Sequence, residues 1–149
     1  MTADKISLSI LSHPRYLQLV RGATEKIAGI MKFSHNDARN IVLAVDEACS
    51  NIIRHSYQND PNGKIDFLFE LCAEKLIIRI TDEGLKCDIH QMVPRKMDTL
   101  RPGGLGIHIM TAVMDSLKFD CNSPRKNQVT MVKNLKTSAS PDPSETKKK

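Results

Sequence analysis

The segment that decides how the chain is organised is residues 34–57, which read SHNDARNIVLAVDEACSNIIRHSY. Its apolar residues recur three or four positions apart, as on one face of an α-helix. They are Ala38, Ile41, Val42, Val45, Ala48, Cys49, Ile52 and Ile53. Ser34 followed by Asp37 is typical of a helix N-terminus, and the turn-forming residues 59–63 predict an end near Tyr57. The segment therefore predicts an amphipathic helix with one face in the core.

The segments on either side of this helix predict an α+β fold. Alternating or helical spacing of apolar residues predicts, in chain order, a strand at 5–10, a helix at 15–31, strands at 64–71 and 75–81, a helix at 105–114, and strands at 117–121 and 129–132. With the central helix the order is βααββαββ. Hairpins with helices on one face favour a two-layer sandwich with a mixed, mostly antiparallel sheet.

Length and composition predict one domain. The chain has 149 residues, of which 40% are hydrophobic, enough for a single core. We assign this domain to residues 1–136, and we expect residues 137–149, which are polar and end in lysines, to form a disordered tail. No run of eighteen apolar residues and no signal-peptide pattern is present, so a cytoplasmic protein without membrane contact is expected.

Charge and cysteine content narrow the classes of ligand. The net charge is +5, but aromatic residues make up only 4% and no basic stripe carries interleaved aromatics, so direct nucleic-acid binding is not expected. An anionic small ligand such as a nucleotide suits the same charge. The four cysteines form no C-x-x-C pair, and we expect them to be reduced and structural. They are Cys49, Cys72, Cys87 and Cys121.

Three polar residues lie along the edge of the apolar face of the central helix. Glu47, Asn51 and His55 are spaced four apart, which places them on one stripe at about 100° per residue. A half-shielded carboxylate can act as a general base, and an amide oxygen one turn later can bind Mg²⁺. Spacing alone favours the simpler interpretation that Glu47 and Asn51 are solvated helix polars and His55 a boundary residue.

Two glycine-bearing segments add candidate ligand contacts. Asp82 ends a predicted strand, where its carboxylate can accept the exocyclic amine of adenine, and Gly84 lets the backbone approach the ring. A glycine-rich segment before the third helix suits phosphate oxygens, and it consists of Gly103, Gly104, Leu105 and Gly106. Taken singly, each segment can also be an ordinary turn. The long loop at 85–102 is of a kind that is usually functional.

Together, these segments resemble the three nucleotide boxes of the GHKL ATPase superfamily. The helix sequence EACSNIIRHSY at 47–57 resembles most closely that of the anti-sigma-factor serine/threonine kinases of bacterial partner-switching systems. The resemblance covers residues 6–133. It implies the Bergerat ATP-binding fold, with ATP or ADP and Mg²⁺ as cofactors.

The resemblance also implies roles for individual residues. Glu47 would be the catalytic base, Asn51 the Mg²⁺ ligand, and Asp82 the adenine contact, while residues 85–102 would form the ATP lid. The implied nucleotide-binding set is Asn51, His55, Asp82, Gly84, Gly103, Gly104, Leu105, Gly106 and Thr130. Two positions depart from the family pattern: Lys86 stands where a second glycine is usual, and Asn127-Gln128 replaces a glycine before the last strand.

The resemblance predicts a regulatory kinase. Such a protein would transfer phosphate from ATP to a serine of a small anti-anti-sigma antagonist, would sequester a sigma factor, and would form a homodimer. One alternative is a regulator that acts by contact alone, with or without bound nucleotide. Another is the split catalytic domain of a two-component histidine kinase.

Overall fold

The computed structural model describes residues 2–88 and 104–136, which form a five-stranded sheet and three α-helices. The elements are β1 (Asp4–Leu11), α1 (Leu17–Ile30), α2 (His35–Asn51), β2 (Lys64–Leu71), β3 (Lys75–Asp82), α3 (Gly104–Val113), β4 (Ser116–Asp120) and β5 (Asn127–Asn134). The predicted order βααββαββ is confirmed. Gly103, most of the predicted lid and the predicted tail at 137–149 lie outside the described residues.

The strands lie in the order β1-β2-β3-β5-β4. Every neighbouring pair in the described sheet is antiparallel, so the α+β class is confirmed and no parallel pair contributes to this part of the sheet. The register sets Asp82, the last residue of β3, opposite Asn127, the first residue of β5. These two residues are 45 positions apart in the sequence.

One face of the sheet packs against the helices and forms the core. Alternate residues of the three central strands are at most 5% exposed: Ile65, Phe67 and Phe69 of β2, Leu76, Ile78 and Ile80 of β3, and Val129 and Met131 of β5. Helix residues of the same cluster include Val20, Ile27, Ile41, Val45 and Met110. Each large apolar side chain buried here contributes about 1.5–3 kcal/mol, which fixes the helices on this face.

The ends of the helices follow the local sequence. The Ser34 hydroxyl caps α2 by accepting the Asp37 N–H at 3.1 Å, as predicted. Residues Ile52–Ser56 continue α2 as one π-helical turn, closed by the Tyr57 N–H donating to the Ile52 carbonyl at 3.0 Å. The first predicted helix begins with a 3₁₀ turn at Pro14–Tyr16. Within the described ranges, no helix is both long and apolar enough to cross a bilayer.

The cysteines divide into two classes. Cys87 and Cys121 form a disulfide, with Cα atoms 5.9 Å apart, so the prediction that all four cysteines are reduced is wrong for this pair. Sequence spacing could not reveal it, because 34 positions separate the two residues and only the fold brings them together. Cys49 and Cys72 are free thiols. Burial in the core raises the pKa of Cys49 far above its ordinary value.

Candidate active site

Glu47 and Asn51 lie one turn apart in the last part of α2, and both are half-buried at the edge of the core. Ala44 and Ala48 are buried beside them, which fixes the rotation of the helix. The Asn51 Oδ1 atom lies 3.5 Å from Nη2 of Arg54. The helix therefore presents a carboxylate and an amide side by side, as the sequence predicted.

The glycine segment at the start of α3 packs directly against these two side chains. A Cβ atom placed on Gly106 would lie 2.7 Å from Oε2 of Glu47 and 3.5 Å from Nδ2 of Asn51. Glycine at position 106 therefore permits the backbone to approach the Glu47 carboxylate this closely. Helix α3 begins at Gly104, one residue before the predicted start, and Leu105 is 59% exposed. The first turn of a helix carries unpaired N–H groups, which suit anionic oxygens.

Asp82 lies where β3 leaves the sheet, and it is only 3% exposed. Its Oδ1 atom accepts Nδ2–H of Asn127 at 2.9 Å and the N–H of Gly84 at 3.0 Å. Burial raises the pKa of the Asp82 carboxyl, while hydrogen bonds from Asn127, Gly84 and Ser56 act in the opposite direction. The structure therefore holds an acceptor in a shielded place, where it can select a donor of matching geometry.

Asn127, which the sequence marks only as a departure from the family pattern, is a further candidate residue of this site. Besides holding Asp82, its Nδ2 donates to the Leu85 carbonyl at 2.8 Å, and its Oδ1 accepts the N–H of Cys87 at 3.0 Å. The available signal was the position of Asn127 in the alternation of β5, because it falls on the same face as the buried Val129 and Met131. A buried amide at such a position requires partners.

Residues 83–85, which follow Asp82, pack against the π-helical turn that continues α2 beyond Asn51. A Cβ atom on Gly84 would lie 2.6 Å from the Ser56 carbonyl carbon, and the Leu85 N–H donates to the Ser56 carbonyl at 2.8 Å. The Tyr57 hydroxyl accepts the Glu83 N–H at 2.8 Å. Burial is the main cause of the raised pKa of Tyr57. Close backbone packing therefore explains why glycine stands at position 84.

Two predicted nucleotide-binding residues, His55 and Thr130, do not lie where the sequence placed them. His55 lies in the π-helical turn, whose wider spacing ends the predicted stripe at Asn51, and its side chain is exposed. Thr130 lies opposite Arg79 of β3 and Lys118 of β4, on the face of the sheet away from the helices. Alternation along β5 therefore places Thr130 on the opposite side of the sheet from Asp82.

The residues present fit a nucleotide that carries Mg²⁺. Glu47 and Asn51 offer hard oxygen ligands, and the Gly106 backbone faces them without a side chain in between. Among the described residues, no group of three His, Cys, Asp or Glu side chains could hold a metal ion by itself. The usual Mg²⁺ site uses one or two side chains together with phosphates and water.

Comparison with known sequences places the chain in a family. Residues 10–133 match the family model of the histidine kinase-like ATPase domain. The serine-protein kinase RsbW of Bacillus licheniformis is 30% identical over 129 residues, which cover 81% of each chain. RsbW of Bacillus subtilis strain 168 is 26% identical over an alignment of 155 residues, which covers 91% of this chain and 97% of that protein.

Solved structures show the same fold at low identity. The RsbU and RsbW domains of a Mycobacterium tuberculosis protein align with a TM-score of 0.66 and 16% identity, over 89% of this chain but only 32% of that chain. A histidine kinase domain from Erythrobacter litoralis aligns with a TM-score of 0.56 and 18% identity, over 91% and 64% of the two chains. The chain therefore belongs to the histidine kinase-like ATPase family, on the branch that includes the serine-protein kinases RsbW.

Proposed function

We propose that this chain is an ATP-dependent serine protein kinase that acts as an anti-sigma factor in the cytoplasm. The observation that carries the proposal is the meeting of Glu47 and Asn51 with the glycine backbone at Gly106, together with a buried carboxylate, Asp82, at the end of β3. Similarity to the serine-protein kinases RsbW supports the reaction class. The expected partners are a small antagonist protein that carries the target serine, a sigma factor, and a second copy of the chain.

Recognition of the base would depend on Asp82. Its ionised carboxylate accepts hydrogen bonds only, so it would accept the exocyclic amine of adenine. The Asn127 and Gly84 donors, both on Oδ1, fix the rotation of this carboxylate before the ligand arrives. A carboxylate oriented in advance loses little freedom on binding, which favours affinity.

Phosphoryl transfer would depend on Glu47 and Asn51. Glu47 would accept the proton of the serine hydroxyl, and the backbone N–H groups at the start of α3 would bind phosphate oxygens. Bound with ATP, Mg²⁺ would neutralise charge on the phosphates, and Asn51 Oδ1 would hold it. Most of the rate enhancement would come from positioning, because little covalent chemistry falls to the protein.

The nucleotide site is tested by calorimetric titration with Mg-ATP of the native chain and of Asp82→Asn. The variant amide oxygen takes over the bonds from Asn127 and Gly84, so its NH₂ group faces the adenine amine. We expect a loss of affinity of about ten- to a hundredfold, since two donors then face each other. Glu70→Gln is the matched control, because it removes a carboxylate from the other face of the sheet. Equal affinities for native chain and Asp82→Asn would contradict the proposal.

The reaction is tested by incubating the chain and its co-purified proteins with Mg-ATP and identifying the phosphorylated residue. Phosphoserine on a small partner is expected. A stable partner complex that forms without ATP and yields no phosphoserine would instead support a regulator that acts by contact alone. Acid-labile phosphohistidine on a partner would support the catalytic part of a two-component kinase.

A further inference from the structure

Residues 83–88, here called the exit segment, are fastened to the turn between β4 and β5. The Cys87–Cys121 disulfide is the covalent connection. The Lys86 ammonium adds hydrogen bonds to the carbonyls of Ser123 and Lys126, the second at 3.0 Å. The exit segment thus joins the site to a hairpin that the proposed reaction does not use.

One amide connects the disulfide to the site carboxylate. The Cys87 N–H donates to Oδ1 of Asn127 at 3.0 Å, while Nδ2 of the same amide donates to Oδ1 of Asp82 at 2.9 Å. An amide group is planar, so both bonds are satisfied only when Cys87 and Asp82 keep these relative positions. A shift of Cys87 therefore changes the surroundings of Asp82.

The two bonded cysteines are placed where small thiols can reach them. Cys87 and Cys121 are both half-exposed, whereas the free Cys49 is fully buried. In a reducing compartment, a disulfide between partly exposed cysteines is reversible rather than a permanent crosslink. Cys72, also half-exposed, forms no disulfide and serves as an internal comparison.

We infer that Cys87 and Cys121 form a redox-responsive site that controls the exit segment and, through Asn127, access to Asp82. Asp82 is 3% exposed and accepts hydrogen bonds from Gly84 of this segment and from Asn127, so a movement of residues 84–87 changes how much of the carboxylate a ligand can reach. The disulfide opposes that movement, and its reduction permits it. The consequence for ATP rests on the proposed function, while control of the segment does not.

Oxidation needs a named acceptor, and a low-molecular-weight disulfide supplies it. One cysteine thiolate attacks the small disulfide, forms a mixed disulfide and expels one small thiolate. The second cysteine thiolate then attacks the mixed disulfide at the protein sulfur and expels the second. Two protein thiols become one disulfide, and one small disulfide becomes two thiols, so electrons and protons balance.

Thermodynamic linkage converts the expected difference in Mg-ADP affinity into a shift of the reduction potential, with a definite sign. If the reduced form binds Mg-ADP about tenfold more tightly, a value within the usual range of coupling, saturating Mg-ADP must favour reduction by the same factor. The reduction potential of the pair then rises by about 30 mV, the equivalent of tenfold for two electrons. A fall in potential would contradict the inference.

The experiment titrates Mg-ADP into the native chain equilibrated with oxidised or with reduced glutathione. We expect binding about tenfold weaker in the oxidised form. Cys121→Ser, which leaves the exit segment unchanged, should bind like the reduced native chain in both buffers. Cys72→Ser is the control and should keep the full redox response. Equal affinities in the two buffers, or thiol counting that finds no disulfide after oxidation, would overturn the inference.

Hydrogen exchange of the exit segment separates this inference from the proposed function. The Cys87 amide, bonded to Asn127, should exchange faster in the reduced chain and in Cys121→Ser than in the oxidised chain. If no form binds nucleotide, the proposed function fails, and faster exchange on reduction still supports redox control of the segment. Identical exchange in both states would reject that control.

Discussion

Asp82 and Glu70 are carboxylates on neighbouring strands, yet they lie on opposite faces of the sheet. Asp82, on the helix-facing side of β3, accepts hydrogen bonds from neutral donors, Asn127 and Gly84. Glu70, on the open face of β2, lies 2.6 Å from Nη1 of Arg79 and 3.5 Å from Nζ of Lys5. The same chemical group therefore meets neutral amides on one face and cations on the other.

This difference separates the candidate ligand-binding carboxylate, Asp82, from a structural one, Glu70. The hydrogen bond from Arg79 lowers the pKa of Glu70, whereas burial raises the pKa of Asp82. Ionisation of Glu70 therefore stabilises the fold, while ionisation of Asp82 is kept at a cost. A perturbed carboxylate at the end of a strand, in contact with glycine backbone, is typical of a binding site.

The largest effect should come from removing the carboxylate that faces Gly106. We expect Glu47→Gln to slow phosphoryl transfer about 10²- to 10⁴-fold, as loss of a general base does, with Mg-ATP affinity nearly unchanged. Glu70→Gln, the same chemical change on the open face, should leave the rate within about twofold, since Glu70 lies on the face of the sheet away from the helices, paired with Arg79. Single-turnover phosphorylation measures both. Equal rates for the two variants would remove the distinction between the carboxylates.

The next largest effect concerns the amide that holds Asp82. Asn127→Ala leaves a buried carboxylate without its amide donor and frees the Leu85 carbonyl and the Cys87 N–H. We expect a loss of about 2–4 kcal/mol in the free energy of unfolding, measured in urea. Thr130→Ala, on the open face of the same strand, should cost at most about 0.5 kcal/mol. Similar costs for both would mean that Asn127 is not specially placed.

Two glycines of the site should respond differently to alanine. At Gly84 the new methyl group meets the Ser56 main chain, which cannot move alone, so we expect a loss of about 1–3 kcal/mol in urea unfolding. At Gly106 it meets the mobile end of Glu47, so the fold should persist or gain up to about 1 kcal/mol from helix propensity, while phosphoryl transfer falls. Destabilisation at Gly106 but not at Gly84 would contradict this packing.

The smallest effect is the opposite pH dependence of the two carboxylates. The folded chain binds fewer protons at Glu70 than the unfolded chain, so this stabilisation is present above about pH 4.5 and is lost as the pH falls through the lowered pKa. At Asp82 the folded chain binds more protons, so its contribution to stability falls as the pH rises above about 3.8.

Urea unfolding between pH 3 and 7 measures both signs. The stability difference between native chain and Glu70→Gln should shrink as the pH falls. As the pH falls over the same range, the native chain should become more stable relative to Asp82→Asn. Parallel curves would show that the two faces do not differ in this way.

Much of the fold was predictable because its signals are local. Strict alternation gave the bounds of β2, and the Ser34 cap gave the start of α2. The π-helical turn at 52–56 was not predictable from the spacing of the apolar residues, and its wider spacing displaced His55 from the predicted stripe. Alternation along β5 already indicated that Thr130 lies on the open face of the sheet, because Val129 and Met131, on either side of it, fill the core.

The sequence by itself determined the order of the elements and the pairing of Glu47 with Asn51, because neighbours within a helix or strand set its period. Only the tertiary structure decided which distant residues meet at the site. The register of β3 and β5 places Asn127 on Asp82, and the path of the exit segment places Cys87 on Cys121. These contacts join residues 34 and 45 positions apart, and such separations are fixed by packing and hydrogen-bond register rather than by any local pattern.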